Sequence, residues 1–142
     1  MKIILFFLSI VVFMHANIVP NNKDEQYGKM ILGVWSFQEA SHDIRYYGEY
    51  LYKNDGTKEG YMEICERERC SVEHFNSTWE IENGFLISIV QSSSTAFLPA
   101  KSKIVDKILK INKMEMLLHS TSGKEKNTRV LKSRFFNANS SL

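Results

Sequence analysis

The sequence predicts an all-β protein: one up-and-down antiparallel barrel of about eight strands, preceded by a short N-terminal helical turn. Three observations predict it. From residue 32 onward, apolar and polar residues alternate in short runs, the period of a strand with one buried face. Tight-turn sequences divide the runs. Asn54-Asp55-Gly56 and Asn83-Gly84 are the strongest, because Asn, Asp and Gly tolerate the positive backbone angles that hairpins need. Nearly every connection is also short, so successive strands must be neighbours, whereas a sandwich needs longer crossovers. Such a sheet keeps two free edges unless its last strand returns beside its first.

Residues 1–16 read as an export signal. Met1-Lys2 is a basic start, residues 3–14 are an almost unbroken apolar run, and Ala16 suits the cut. The run is short for a membrane span, which leaves an uncleaved anchor as the alternative. Residues 17–30 form a polar segment, and residues 23–31 are expected to make one or two helical turns. The barrel is expected over residues 31–136, with strands at 32–40, 45–53, 58–65, 70–82 and 85–91. A Ser/Pro-containing break at 92–101 precedes strands at 103–111, 114–120 and 126–136, and residues 137–142 are a polar tail. One stretch is ambiguous: Ile104, Val105, Ile108 and Leu109 fit a helical stripe about as well as a strand. It is read as strand because a turn-rich segment precedes it and an alternating run follows.

Cys65 and Cys70 enclose Glu66-Arg67-Glu68-Arg69. If those four residues form a hairpin tip, the cysteines face each other across two strands at disulfide distance. Four intervening residues is the wrong spacing for a CxxC redox or metal pair. A structural disulfide agrees with an exported protein, periplasmic or secreted. The chain has 142 residues and a formal net charge of +2, with 44% hydrophobic residues. This suits one packed domain and provides no single-sign block to clamp nucleic acid. The charges read as a mixed, solvated surface, and no membrane span is expected after signal removal.

Several local patterns resemble one family. Leu32-Gly33-Val34-Trp35 is similar to the Gly-x-Trp opening of lipocalin-like barrels. Asn54-Asp55-Gly56-Thr57 is similar to the Asp-Gly-Thr hairpin of small bacterial members, and residues 78–86, around Trp79, resemble their central Trp-x-Ile hairpin. The resemblance covers roughly residues 31–136 and implies a calycin-type barrel, mostly of unassigned function. It further implies a basic residue of the last strand lying over Trp35. Arg129 and Arg134 both qualify, and Arg134 is preferred as the nearer to the chain end.

No catalytic constellation is evident. His42, His74 and His119 form no metal-binding spacing, and no nucleophile motif or Gly-rich phosphate loop occurs. The expectation is a non-enzymatic protein without cofactor or metal. The tyrosines form the more informative cluster: Tyr46, Tyr50 and Tyr52 share one strand face. If that face points inward, it joins Met62, Ile64, Met116 and Leu118 in a lining suited to an apolar or amphipathic small molecule. A barrel filled by its own side chains is the equal alternative. Phe97, in the apolar loop tip Ala96-Phe97-Leu98-Pro99, either contacts a ligand or partner or folds back to plug the mouth. Two functions follow: a small-molecule carrier, or a protein-interaction module such as an inhibitor or envelope-associated adaptor.

Overall fold

The computed structural model describes residues 22–137. The export signal read at 1–16 lies outside the described residues, as do the start of the polar segment and residues 138–142. The order is α1 (Asn22–Ile31), β1 (Gly33–Ser41), β2 (Ile44–Tyr52), β3 (Thr57–Glu66), β4 (Arg69–Glu82), β5 (Phe85–Ser93), β6 (Lys103–Ile111), β7 (Glu115–Ser120) and β8 (Gly123–Arg129). The eight strands form a closed antiparallel barrel in which each strand pairs with the next. Closure rests on two residue pairs, Trp35↔Arg129 and Ser36↔Thr128. Each of the eight strands therefore has a neighbour on both sides.

Residues 103–111 are a strand, as expected, and the cause of their helix-like pattern is visible. Ile104, Asp106 and Ile108 share one face, then a bulge between Ile108 and Lys110 resets the alternation so that Ile111 is buried while Leu109 is exposed. A bulge inserts one residue into a period of two, which mimics the spacing of a helix. Cys65 and Cys70 are register partners on β3 and β4 and form a disulfide with Cα atoms 4.0 Å apart. The hairpin tip between them is Arg67-Glu68, two residues shorter than the expected tip of four.

The short helix expected over 23–31 is α1, which runs from Asn22 to Ile31 with Asp24 and Glu25 in its first turn and Lys29 in its last, matching the helix dipole. Its buried face, Tyr27, Met30 and Ile31, packs on Trp35, Tyr52, Trp79 and Met116 and closes one end of the barrel. The last strand, expected over 126–136, starts earlier and stops at Arg129. Beyond Trp35 little of β1 remains to pair with, so residues 130–137 leave the sheet and cross the outer wall of β2 and β3. There Ser133, Arg134 and Phe135 bind Glu49, and Arg134 pairs with Glu63.

α1 is fastened to the hairpin between β4 and β5. Asp24 accepts hydrogen bonds from the backbone N–H groups of Asn83 (2.7 Å) and Gly84 (2.9 Å), both at positive φ in the turn. Asp24→Ala is expected to cost about 1–2 kcal/mol, since two donors lose a charged acceptor at a half-exposed site. Urea unfolding of the variant tests this, and an unchanged midpoint would mean that the clamp contributes nothing.

Candidate binding site inside the barrel

Directly paired residues of antiparallel strands share a face, so the register determines what lines the interior. The inward rows run Phe37–Gly48–Met62–Glu73, Trp35–Tyr50–Gly60–Phe75 and Tyr52–Lys58–Ser77, with Glu39–Tyr46–Ile64–Ser71 at the mouth. The glycines decide the shape of this wall. A Cβ on Gly48 would lie 2.0 Å from the Phe37 ring, and one on Gly60 would lie 2.1 Å from the Phe75 ring. Both rings therefore lie flat against bare backbone. Tyr50 fills the gap between them, stacked on Phe37 at 5.1 Å and edge-on to Phe75 at 5.8 Å. The product is a continuous aromatic wall across β1, β2 and β4.

Lys58 stands over this wall. It is 6% exposed, and its Nζ lies 4.7 Å from the centre of the Tyr50 ring, 5.1 Å from Tyr52 and 5.8 Å from Phe75. Among the described residues its ammonium donates no hydrogen bond and closes no ion pair. Asp106 of β6 and Glu125 of β8 supply opposing charge from a greater distance. Burial pushes the Lys58 ammonium down to about 8, and the pull of Glu125 and Asp106 only partly offsets it. Burial likewise raises Asp106 and Glu125 above the usual carboxylate range. Asn127 donates to Glu125 at 2.8 Å. Three deep atoms have no partner among the described residues: Ser77 Oγ, Asp106 Oδ1 and Asn127 Oδ1.

The structure divides the predicted lining into two groups. Tyr52, Met116 and Leu118 belong to the packed core at the α1 end, beside Ile31, Trp35, Leu86, Ile108 and Ile111, with Tyr50 and Trp79 against it. Tyr46, Met62 and Ile64 are half-buried on the inward face nearer the opposite end. Tyr50 connects the two groups. Phe97 sits on the loop between β5 and β6 and is 87% exposed, so it does not fold back as a plug. The cation over Trp35 is Arg129, at 4.0 Å from the ring, and the preference for Arg134 is corrected. Arg134 lies outside the barrel, over Tyr47 at 4.6 Å. It cannot reach the indole because the chain has already left β8.

Sequence reasoning missed Lys58, Ser77, Asp106, Glu125, Asn127 and the two phenylalanines of the wall. The signal was present as strand parity. Asp106 alternates with exposed Lys103, Val105 and Lys107, and Glu125 with exposed Lys124 and Lys126. The charges are therefore not one mixed surface, since on β6 and β8 lysines point out and carboxylates point in. Among the described residues no group of three His, Cys, Asp or Glu side chains could hold a metal ion.

No family model and no curated protein matches the chain. Among solved structures it is similar to a lipocalin-like protein from Bacteroides uniformis ATCC 8492. The TM-score is 0.51 and the identity 13%, covering 70% of this chain and 97% of that one. At that identity the likeness concerns the fold: a lipocalin-like β-barrel.

Proposed function

We propose that this lipocalin-like barrel takes up a small amphipathic molecule at the end opposite α1. The body of the molecule lies along Phe37, Tyr50, Phe75, Met62 and Ile64, and its polar head reaches toward Ser77, Asp106 and Asn127. The observation that carries the reading is the set of deep polar atoms without partners, Ser77 Oγ, Asp106 Oδ1 and Asn127 Oδ1. Folded proteins satisfy buried polar atoms with very few exceptions, because each one left unpaired costs about 1–3 kcal/mol. A ligand head supplies what the strands leave unmade. The packed floor of Trp35, Tyr52, Met116 and Leu118 stops such a molecule from passing through. The Cys65–Cys70 disulfide supports an exported setting, and among the described residues no helix is long and apolar enough to cross a membrane.

A panel of amphipathic compounds should contain members that raise the melting temperature. Saturation to about a hundredfold over Kd corresponds to about 2.7 kcal/mol of added stability. Native mass spectrometry of protein purified from its host should show a bound small molecule. A protein that carries nothing, and whose melting point no compound moves, would sink the reading. The second reading, a protein-interaction module, draws on Phe97 at 87% and Leu131 at 89% exposure. Phe97→Asp separates the two: it should abolish partner binding under the second reading and leave compound-induced stabilisation intact under the first.

A further inference from the structure

The ligand reading leaves open the charge of the head, and the partition of charges across the barrel wall bears on it. On β6, exposed Lys103 and Lys107 flank half-buried Asp106; on β8, exposed Lys124 and Lys126 flank half-buried Glu125. Glu73, on the inward row of Met62, is half-buried and accepts from Ser94 Oγ at 2.7 Å, whereas Glu39, on the row of Tyr46, is exposed at the mouth. Against the three enclosed carboxylates, Asp106, Glu125 and Glu73, the inward face sets Lys58, together with Arg129, which is occupied at the closed end by Trp35 and the carbonyls of Met30 and Leu32. A bound molecule therefore meets an excess of negative charge inside, with the lysines of β6 and β8 on the far side of the wall.

The unpartnered atoms are biased the same way. Asp106 Oδ1 is an acceptor. Asn127 Oδ1 is one too, because its amide nitrogen must face the Glu125 carboxylate, which fixes the orientation of the group. Ser77 is 3% exposed and Asn127 0%, so neither reaches bulk water. Ser77 is the register partner of Lys58, and its hydroxyl lies on the same inward face. The aromatic wall is already a cation platform, since the Lys58 ammonium lies over the faces of Tyr50, Tyr52 and Phe75. An anionic head could pair with Lys58, but it would also feel Asp106 and Glu125, the carboxylates whose field reaches that ammonium.

We infer that the head is cationic: the ligand is an amphipathic organic amine whose ammonium donates to Asp106, Glu125 and Asn127 while its body lies along Phe37, Tyr50 and Phe75. This rests on the reading of the barrel as a small-molecule binder. Lys58 then serves as an internal countercharge that keeps the carboxylates neutralised before the ligand arrives.

Three probes with one tail test it: decylammonium, decanol and decanoate, each below its micelle concentration, titrated into the purified protein by calorimetry. Decylammonium is expected to bind about tenfold or more tightly than decanol, with decanoate weakest. Asp106→Asn and Glu125→Gln should each cut decylammonium affinity by about tenfold and decanol affinity by much less, while Lys58→Met should strengthen decylammonium. Decanoate binding tightest, and being lost on Lys58→Met, would overturn the cationic head and keep the small-molecule reading. Equal affinity for all three would overturn it as well. Binding of none would remove the small-molecule reading itself. Should Glu125→Gln fail to fold, the wild-type ranking and the near-isosteric Asp106→Asn still decide.

Discussion

Replacing Trp35 with alanine is expected to lower stability by about 3–5 kcal/mol, the cost of emptying a fully buried indole site. Trp35 is 0% exposed and donates from Nε1 to the Ile31 carbonyl at 2.6 Å, which joins the end of α1 to β1. Above the ring lies the Arg129 guanidinium, which donates to the carbonyls of Leu32, Met30 (2.5 Å) and Lys113 (3.3 Å). Trp35↔Arg129 is also one of the two residue pairs that close the barrel between β1 and β8. Arg129→Ala should therefore cost about 2–4 kcal/mol, combining charge-assisted hydrogen bonds with the cation–ring contact. The two changes should be non-additive by about 1 kcal/mol or more, since each removes the partner of the other. Denaturant unfolding followed by circular dichroism measures all three variants. Arg134→Ala, which breaks an exposed ion pair with Glu63, should cost no more than about 1 kcal/mol. An Arg134 effect exceeding that of Arg129 would contradict this account of closure.

Glu49→Ala should cost about 3 kcal/mol, because it strips the acceptor from several donors at once. Glu49 faces outward from β2 yet is 0% exposed, roofed by residues 130–137. Its carboxylate accepts from Tyr47 Oη at 2.6 Å, from Ser133 Oγ, and from the backbone N–H groups of Arg134 (3.0 Å) and Phe135 (3.5 Å). Burial alone would raise this carboxyl, but the hydrogen bonds from Ser133, Tyr47, Arg134 and Phe135 outweigh it and hold it below the usual range. The same burial, together with the bond to Glu49, pushes the Tyr47 phenol up to about 12.

A carboxyl with a depressed folded value stabilises the fold at neutral pH and loses that contribution as pH falls through the folded value. Asp106 and Glu125, raised by burial, act in the opposite sense, because acidification relieves their desolvation. Stability should thus rise slightly from neutral to mildly acidic pH, then fall below roughly pH 4 as Glu49 and the other lowered carboxyls, Glu115 among them, take up protons. Glu49→Gln should flatten that acid fall. An acid limb identical to wild type would show that the roof is held by other contacts, such as Phe135 against Tyr61 at 5.4 Å.

Features set by neighbours in the chain were legible in advance. Alternation located the strands, Asn83-Gly84 and Asn54-Asp55-Gly56 located hairpins, and Cys65 with Cys70 across a tip located the disulfide, because each depends on a few consecutive residues. Short connections then required neighbouring strands, and edge avoidance required closure. What no local pattern carries is which residues meet once the sheet has curled. Arg129 rather than Arg134 reaches Trp35 because the register of closure ends the sheet there. α1 closes one end of the barrel because Tyr27, Met30 and Ile31 find a floor to pack on. Glu49 is buried on an outward position because the chain doubles back over it. Asp106 and Glu125 look like surface charges in the sequence and turn inward only when eight strands share one inside. Burial of that kind is a property of the closed barrel, set by contacts far apart in sequence, and only the tertiary structure decided it.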